Sequence, residues 1–255
     1  NKENHYAPIF VDIINTFYGR GNIPIGMVQN GKTPEEGPFL RSIVEAKNHS
    51  GYLYPRTGSQ TCEAVGLYRQ ILSQQPDASV VIVSIGFFTN LARLLMSAPD
   101  RHSSLTGHEL VSRKVVRLSA MAGNFTPEAL NSSSQEYAEY NVVNDIDSAA
   151  YVCNNWPTPI IFSGLEIGEQ IQFPSAAIEK GFDWADRHPV VEAYKIFKKM
   201  PYDRPLWDLT SVFYAVREKY GYFSLSPHGR VSVLENGTVN FHKDRLGPHQ
   251  HLQFG

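Results

Sequence analysis

Ser79-Val80-Val81-Ile82-Val83-Ser84-Ile85-Gly86-Phe87-Phe88-Thr89-Asn90-Leu91-Ala92 is the stretch that decides the fold. Residues 79–85 are apolar apart from two serines. A strand with one wet face alternates polar and apolar side chains, whereas a continuous apolar run marks a strand covered on both faces, as in a parallel sheet. Gly86 to Asn90 supplies a turn, and Leu91 to Ser97 begins a helix. Strand, tight turn and helix in succession form the repeating step of an α/β fold.

The same alternation extends outward in both directions. Upstream, Pro8 to Tyr18 carries Ile9, Phe10, Ile13, Ile14 and Phe17 at helical spacing, and Gly19 to Asn22 stops that helix. Ile23 to Val28 reads as a short strand, Asn30 to Gly37 as a polar loop, Pro38 to Ala46 as a short helix and Asn48 to Ser59 as irregular chain. Thr61 to Gln74 is expected to be helical. Downstream, Val111 to Ala120 reads as strand, Phe125 to Gln135 as polar loop, Asp145 to Cys153 as helix and Pro159 to Gly164 as strand. Ile167 to Lys180 reads as strand, loop and helix, Pro189 to Phe197 as helix, and Leu209 to Lys219 as helix. Residues 222–225, 229–233 and 237–241 then read as antiparallel strands, with Asn236-Gly237 as a hairpin turn. The expected fold class is α/β: a mostly parallel central sheet flanked by helices, with antiparallel strands near the carboxy end. Residues 1–255 are expected to form a single domain.

Composition narrows the function. At 255 residues and 42% hydrophobic, the chain is long enough to bury a sizeable core. A formal net charge of −2 offers no footprint for nucleic acid or an anionic membrane. No apolar run approaches the roughly 18 residues of a membrane span. Asn1 to His5 has no signal-peptide character, and the compartment is left open between cytoplasm and periplasm or exterior. Cys62 and Cys153 are not in a C-x-x-C arrangement, which excludes a thiolate zinc site, and two buried thiols are expected rather than a disulfide. Four N-x-S/T sequons, at Asn48, Asn124, Asn131 and Asn236, are unremarkable in a chain rich in these residues.

Ligands of open α/β sheets bind outside the carboxyl ends of the strands. Three polar or small-residue clusters fall there: Ile85-Gly86, Met121-Ala122-Gly123 and the segment opening at Glu139. In Glu139-Tyr140-Asn141-Val142-Val143-Asn144-Asp145, acids and amides precede a helix. They suit either caps for free helix N–H groups or a ligand bearing several hydroxyls. Asp208, between Trp207 and an apolar helix, suits either a cap or a ligand for a hard cation. His249-Gln250-His251 is weak evidence for a metal, with no third ligand in view, and a packing role is expected. The dinucleotide-binding fingerprint G-x-G-x-x-G and a nucleophile-elbow G-x-S-x-G are absent.

Taken in order, these pieces resemble the inosine-uridine preferring nucleoside hydrolases. Gly86-Phe87-Phe88-Thr89-Asn90-Leu91-Ala92 resembles that family's G-P-L-T-N-[IL]-A turn, and Met121-Ala122-Gly123 its M-G-G. Glu139-Tyr140-Asn141 with Asp145 and Ala149-Ala150 resembles E-F-N-x-x-x-D-x-x-A-A, and Trp207-Asp208 a late H-D or W-D pair. Tyr18 to Gly26 resembles the segment leading to an I-P-V-x-x-G strand. The resemblance implies hydrolysis of nucleoside N-glycosidic bonds with calcium as cofactor. It implies Glu139 and Asn141 on ribose hydroxyls, Met121 in the ribose floor, Trp207 against the base, and Asp208 with the Ile85 carbonyl as calcium ligands. Asp145 is expected to cap the helix that follows it.

Two departures accompany the resemblance. The family's opening D-x-D-x-x-x-D-D cluster, source of most calcium carboxylates and of the base that activates water, has no counterpart here, so no catalytic residue is assigned. Ser133, or a neighbour in Asn131-Ser132-Ser133-Ser134, stands where an asparagine is expected. The domain is therefore expected to lack the family's first strand and helix, through truncation, processing or omission. The alternative is a non-catalytic ribose-binding or structural protein on the same scaffold. The implied partner is a nucleoside or another ribosylated small molecule, with homo-oligomerisation left open.

Overall fold

The computed structural model describes residues 4–31, 37–58, 61–132 and 134–254. The chain divides into two compact units, Asn1–Leu67 with Phe173–Arg204, and Tyr68–Gln172 with Pro205–Gly255. Ser133 lies outside the described residues.

In the first unit, helices Tyr6–Phe17, Leu40–Val44 and Pro189–Phe197 gather a core of Ile13, Ile43, Val44, Tyr54 and Ala193. Asp12 sits on the buried side of its helix. Its carboxylate accepts from Thr57 Oγ1 (2.8 Å), Thr57 N (3.2 Å), Gly58 N (3.0 Å) and Thr16 Oγ1 (3.2 Å). Burial pushes that acid up, but these bonds outweigh it and hold the pKa below its ordinary value. The strand expected over 23–28 shortens to Gly26–Met27, paired in parallel with Cys62–Glu63. The stretch read as irregular contains a small hairpin, Lys47–Asn48 with Gly51–Tyr52. Cys62 is exposed and Cys153 buried, and both are free thiols, so only one of the two is buried as expected.

The second unit is built on one sheet. Its strands are β1 (Val80–Ser84), β2 (Val115–Met121), β3 (Ile160–Ser163), β4 (Ser224–Leu225), β5 (Gly229–Val233), β6 (Val239–Lys243) and β7 (His249–Gln253). The order across the sheet is β6-β5-β7-β3-β2-β1, with β4 also on β7. β1, β2, β3 and β7 run parallel, while β4, β5 and β6 are antiparallel to their partners. All four residues of β3 are buried, as the apolar run Ile160-Ile161-Phe162 demands of an inner parallel strand. Helix Trp207–Arg217 packs against β1, β2 and β3, and helix Ile146–Asn155 against β5 and helix Thr89–Met96.

One element differs from the sequence reading, and one stretch takes the packing role expected of it within a strand that was not expected. Val111 to Lys114 is not strand: it ends a helix, Gly107–Lys114, opened by a capping box. Thr106 N donates to Glu109 Oε2 (2.8 Å) and Glu109 N to Thr106 Oγ1 (3.3 Å), which satisfies two free donors reciprocally. Residues 249–251 belong to β7 and are no metal ligand pair. His249 Nδ1 accepts the Val231 N–H at 2.8 Å, its ring meets Phe162 edge-on, and burial lowers its pKa to about 4, so it is a neutral core side chain. His251 stacks on Phe125 at 4.6 Å. The Asn236-Gly237 turn does join β5 to β6.

Candidate functional site

The carboxyl ends of β1, β2 and β3 lie side by side, because Ser84 pairs with Ala120 and Met121 with Ser163 in parallel register. Ile85, Met121 and Ser163 therefore occupy one rim of the sheet. Ile85 follows β1 directly and is 47% exposed. Met121 is buried at the end of β2. Beyond it the backbone turns through Gly123 at φ +79°, where a side chain would be strained and would press on Phe125 and Val239 at 3.1 Å.

That turn presents a backbone N–H to Glu139. The Glu139 carboxylate accepts from Asn141 N at 2.8 Å through Oε1, and from Val142 N (3.2 Å) and Gly123 N (3.3 Å) through Oε2. Glu139 thus caps the short helix Tyr140–Val143 and ties it to the end of β2. The residue is 2% exposed, and burial raises its pKa to about 7 against the pull of the three N–H donors. Asp208 adds to the rise, so its negative charge reaches Glu139 across the rim.

Asn141 is buried beside it. Its Nδ2 donates to the Met121 carbonyl at 3.1 Å and lies 3.3 Å from Met121 Sδ, so Met121, Glu139 and Asn141 form one contiguous group. Tyr140, between the two polar residues, is 53% exposed and leans on Phe87 with ring centroids 5.8 Å apart. Asp145 departs from expectation. It occupies the position before helix Ile146–Asn155 but makes no capping bond to it. Its Oδ2 instead accepts from Thr89 Oγ1 at 2.6 Å, joining the starts of two helices in a buried contact. Glu139 caps the preceding short helix, and helix Ile146–Asn155 begins without a side-chain cap from Asp145.

Trp207 and Asp208 lie in the first turn of helix Trp207–Arg217, Trp207 half-buried and Asp208 exposed. Asp208 places an acidic side chain in the first turn of that helix, where it suits the positive end of the helix dipole. The entry to the helix is held from two sides. Leu206 N donates to the Ile171 (3.0 Å) and Gly168 (3.2 Å) carbonyls. Gly168 lies so close that a Cβ there would fall 2.4 Å from the Trp207 Cα. Below, Thr210 Oγ1 donates to the Trp207 carbonyl at 2.7 Å and lies 2.6 Å from Ser163 Oγ. Gly168, Ser163 and Thr210 escape sequence reasoning. The only local signal is a threonine three residues after Trp207, at the spacing for a bond back to a helix carbonyl.

Calcium takes six to eight oxygen ligands. This rim offers the exposed Asp208 carboxylate and the Ile85 carbonyl, and the Glu139 carboxylate is already engaged by three N–H groups. Among the described residues no group of three or more His, Cys, Asp or Glu side chains converges as a metal site. The residues at hand do not complete a calcium sphere.

Comparison with known proteins follows the same line as the geometry. The pattern of the family described as inosine-uridine preferring nucleoside hydrolase matches residues 12–249. A pyrimidine-specific ribonucleoside hydrolase, RihA, from Citrobacter koseri is 29% identical over 176 residues, covering 65% of this chain and 48% of the relative. The Escherichia coli O1:K1 counterpart is 31% identical over 144 residues, covering 53% and 41%. The chain spans about half the length of the curated relatives it matches. Among solved structures, an inosine-uridine preferring nucleoside hydrolase from Bacillus anthracis superposes with TM-score 0.70 at 16% identity, covering 98% of this chain and 81% of that one. A plant nucleoside hydrolase, PpNRh1, gives TM-score 0.67 at 17% identity, covering 97% and 81%.

Proposed function

Because the chain belongs to the inosine-uridine preferring nucleoside hydrolase family, we propose that its second unit carries the ribose- and base-recognition part of a nucleoside N-ribohydrolase site. The observation that carries this reading is the buried Glu139 carboxyl, fixed by three backbone donors beside Asn141 and within electrostatic reach of Asp208. A carboxylate has about four lone-pair positions. Three are taken, which leaves one, on Oε1, for a ribose hydroxyl.

In the reaction, the bond from the anomeric carbon to the base nitrogen breaks, water adds to that carbon, and the base leaves with a proton. The ribosyl group passes through a state with oxocarbenium character. Glu139 answers that positive charge. With its pKa raised to about 7, the carboxyl is in large part ionised at neutral pH, and that anion stabilises the developing cation where water is excluded. Asn141, held against Met121, fixes the sugar's orientation. Trp207 offers an aromatic face for the base. Its indole N–H is not an acid at neutral pH, so Trp207 does not protonate the leaving group. Calcium, the ion implied by the resemblance, would supply water activation when bound. Asp208 and the Ile85 carbonyl are its candidate ligands here, and with that sphere incomplete no step is routed through the ion.

Uridine is the first probe, since the matched relatives are pyrimidine-specific. Calorimetric titration and chromatographic detection of ribose release, with and without added calcium, test the reading. Uridine binding that Glu139→Ala abolishes is expected. Wild-type protein that neither binds nor cleaves uridine or inosine at millimolar concentration would refute it. Binding without release would leave recognition standing and remove turnover.

A further inference from the structure

Beneath the rim, a seam of buried hydroxyls joins the sheet to the helix bearing Trp207 and Asp208. Ser119, Ser163, Thr210 and Ser211 are each at most 3% exposed. Ser119 Oγ donates to the Ser211 carbonyl at 2.9 Å. The Ser163–Thr210 contact, 2.6 Å, is the shorter one and its proton order can be assigned. Thr210 has a single hydroxyl proton, and that proton is committed to the Trp207 carbonyl at 2.7 Å. Ser163 must therefore donate to Thr210, giving a directed chain from Ser163 to Thr210 to the Trp207 carbonyl.

Ser163 also faces the other half of the site. It pairs with Met121 across β2 and β3, and its carbonyl accepts the Ala122 N–H at 3.2 Å. One residue thus holds the Met121–Gly123 turn, on which Glu139 and Asn141 rest, through its backbone, and the Trp207–Asp208 turn through its side chain. We propose that Ser163 and Thr210 are positioning residues, a two-hydroxyl relay that sets Trp207 and Asp208 at their working distance from Glu139 and Asn141. This rests on the ribohydrolase reading for its consequence in ligand binding, but not for the relay itself.

The valine that replaces Thr210 in Thr210→Val keeps its shape and removes its hydroxyl, which also strands the buried Ser163 proton and lowers stability. The double variant Ser163→Ala/Thr210→Val removes both hydroxyls and so recovers stability without restoring the tether. Thr210→Ser keeps the tether. Two readouts are taken on the full chain. One is the dissociation constant for uridine. The other needs no ligand: the ¹⁹F NMR spectrum of protein labelled with 5-fluorotryptophan, in which the Trp207 line is identified by its loss in Trp207→Phe. A relay predicts that Thr210→Val and the double variant both shift or broaden the Trp207 line and weaken uridine binding about tenfold, the size expected for one buried tether, while Thr210→Ser stays close to wild type. A double variant with a wild-type Trp207 line and wild-type uridine affinity would overturn it, because the hydroxyls would then serve stability alone. If wild-type protein binds no uridine, the ribohydrolase reading falls, and the Trp207 line alone still decides the relay.

Discussion

Glu139→Gln is expected to change the pH dependence of stability in a defined direction. In the folded protein burial raises the Glu139 pKa from 4.5 to about 7. Between those values the native state holds a proton that the unfolded chain has released. Raising the pH through this window strips the native proton, leaves a buried carboxylate, and lowers stability. The shift spans 7 minus 4.5, and at about 1.4 kcal/mol per unit it corresponds to about 3 kcal/mol lost between about pH 4.5 and pH 7. Gln has nothing to titrate there. Its NH₂ must face one of the three donors that Glu139 accepts, which costs about 1–3 kcal/mol at every pH. The wild-type advantage over Glu139→Gln should therefore be largest near pH 4 and shrink by about 3 kcal/mol by pH 8. Urea unfolding followed by circular dichroism across that range measures it. Asp208→Asn should shrink the wild-type fall, because it removes a charge that raises Glu139. Parallel stability curves for wild type and Glu139→Gln would refute the reasoning, since no proton would then be held at that site.

Further outcomes follow from other sites. His249, neutral in the fold with its pKa lowered to about 4, should make the protein lose stability as pH falls from about 6.5 towards 4. His249→Asn, which keeps an acceptor for Val231 N, should flatten that acid limb in the same unfolding measurement. Alkylation by iodoacetamide followed by mass spectrometry should label the exposed Cys62 in native protein. Burial pushes the Cys153 thiol up to about 12, so it should react only after unfolding. Gly168→Ala places a methyl 2.4 Å from the Trp207 Cα. It should cost about 1–3 kcal/mol in unfolding experiments and displace Trp207, weakening uridine binding.

Much of the fold was legible because its signals are local. The apolar run at Val80 to Ser84, the Asn236-Gly237 hairpin and helix Pro189–Phe197 all emerge where the periodicity or turn chemistry put them. β7 did not, because His249-Gln250-His251-Leu252-Gln253 is polar in composition and becomes core only by pairing with β3 and β5. Helix Gly107–Lys114 had a readable signature, the Thr106 to Glu109 capping box, but the β-branched residues after it drew the strand reading too far back. At the site, residue types alone could not tell Glu139 from Asp145. Both acids precede helices, and burial beside the Gly123 turn makes one the cap while Thr89 claims the other. Ser163 and Thr210 are ordinary residues in sequence, and their pairing across 47 positions exists only in three dimensions.

The place of β7 has a consequence for how the chain is assembled. By backbone pairing, the β5–β6 hairpin reaches the parallel strands only through β7, which pairs with β3 on one side and β5 on the other. During synthesis β1, β2 and β3 emerge long before residues 249–253. Until then β3, buried on every residue in the finished protein, presents an unpaired apolar edge. Contacts between segments so distant in sequence form slowly, because the intervening chain must first be closed into a loop. The nascent second unit thus passes through an interval in which that edge is open to other chains, and the insertion of a polar-looking pentapeptide ends it.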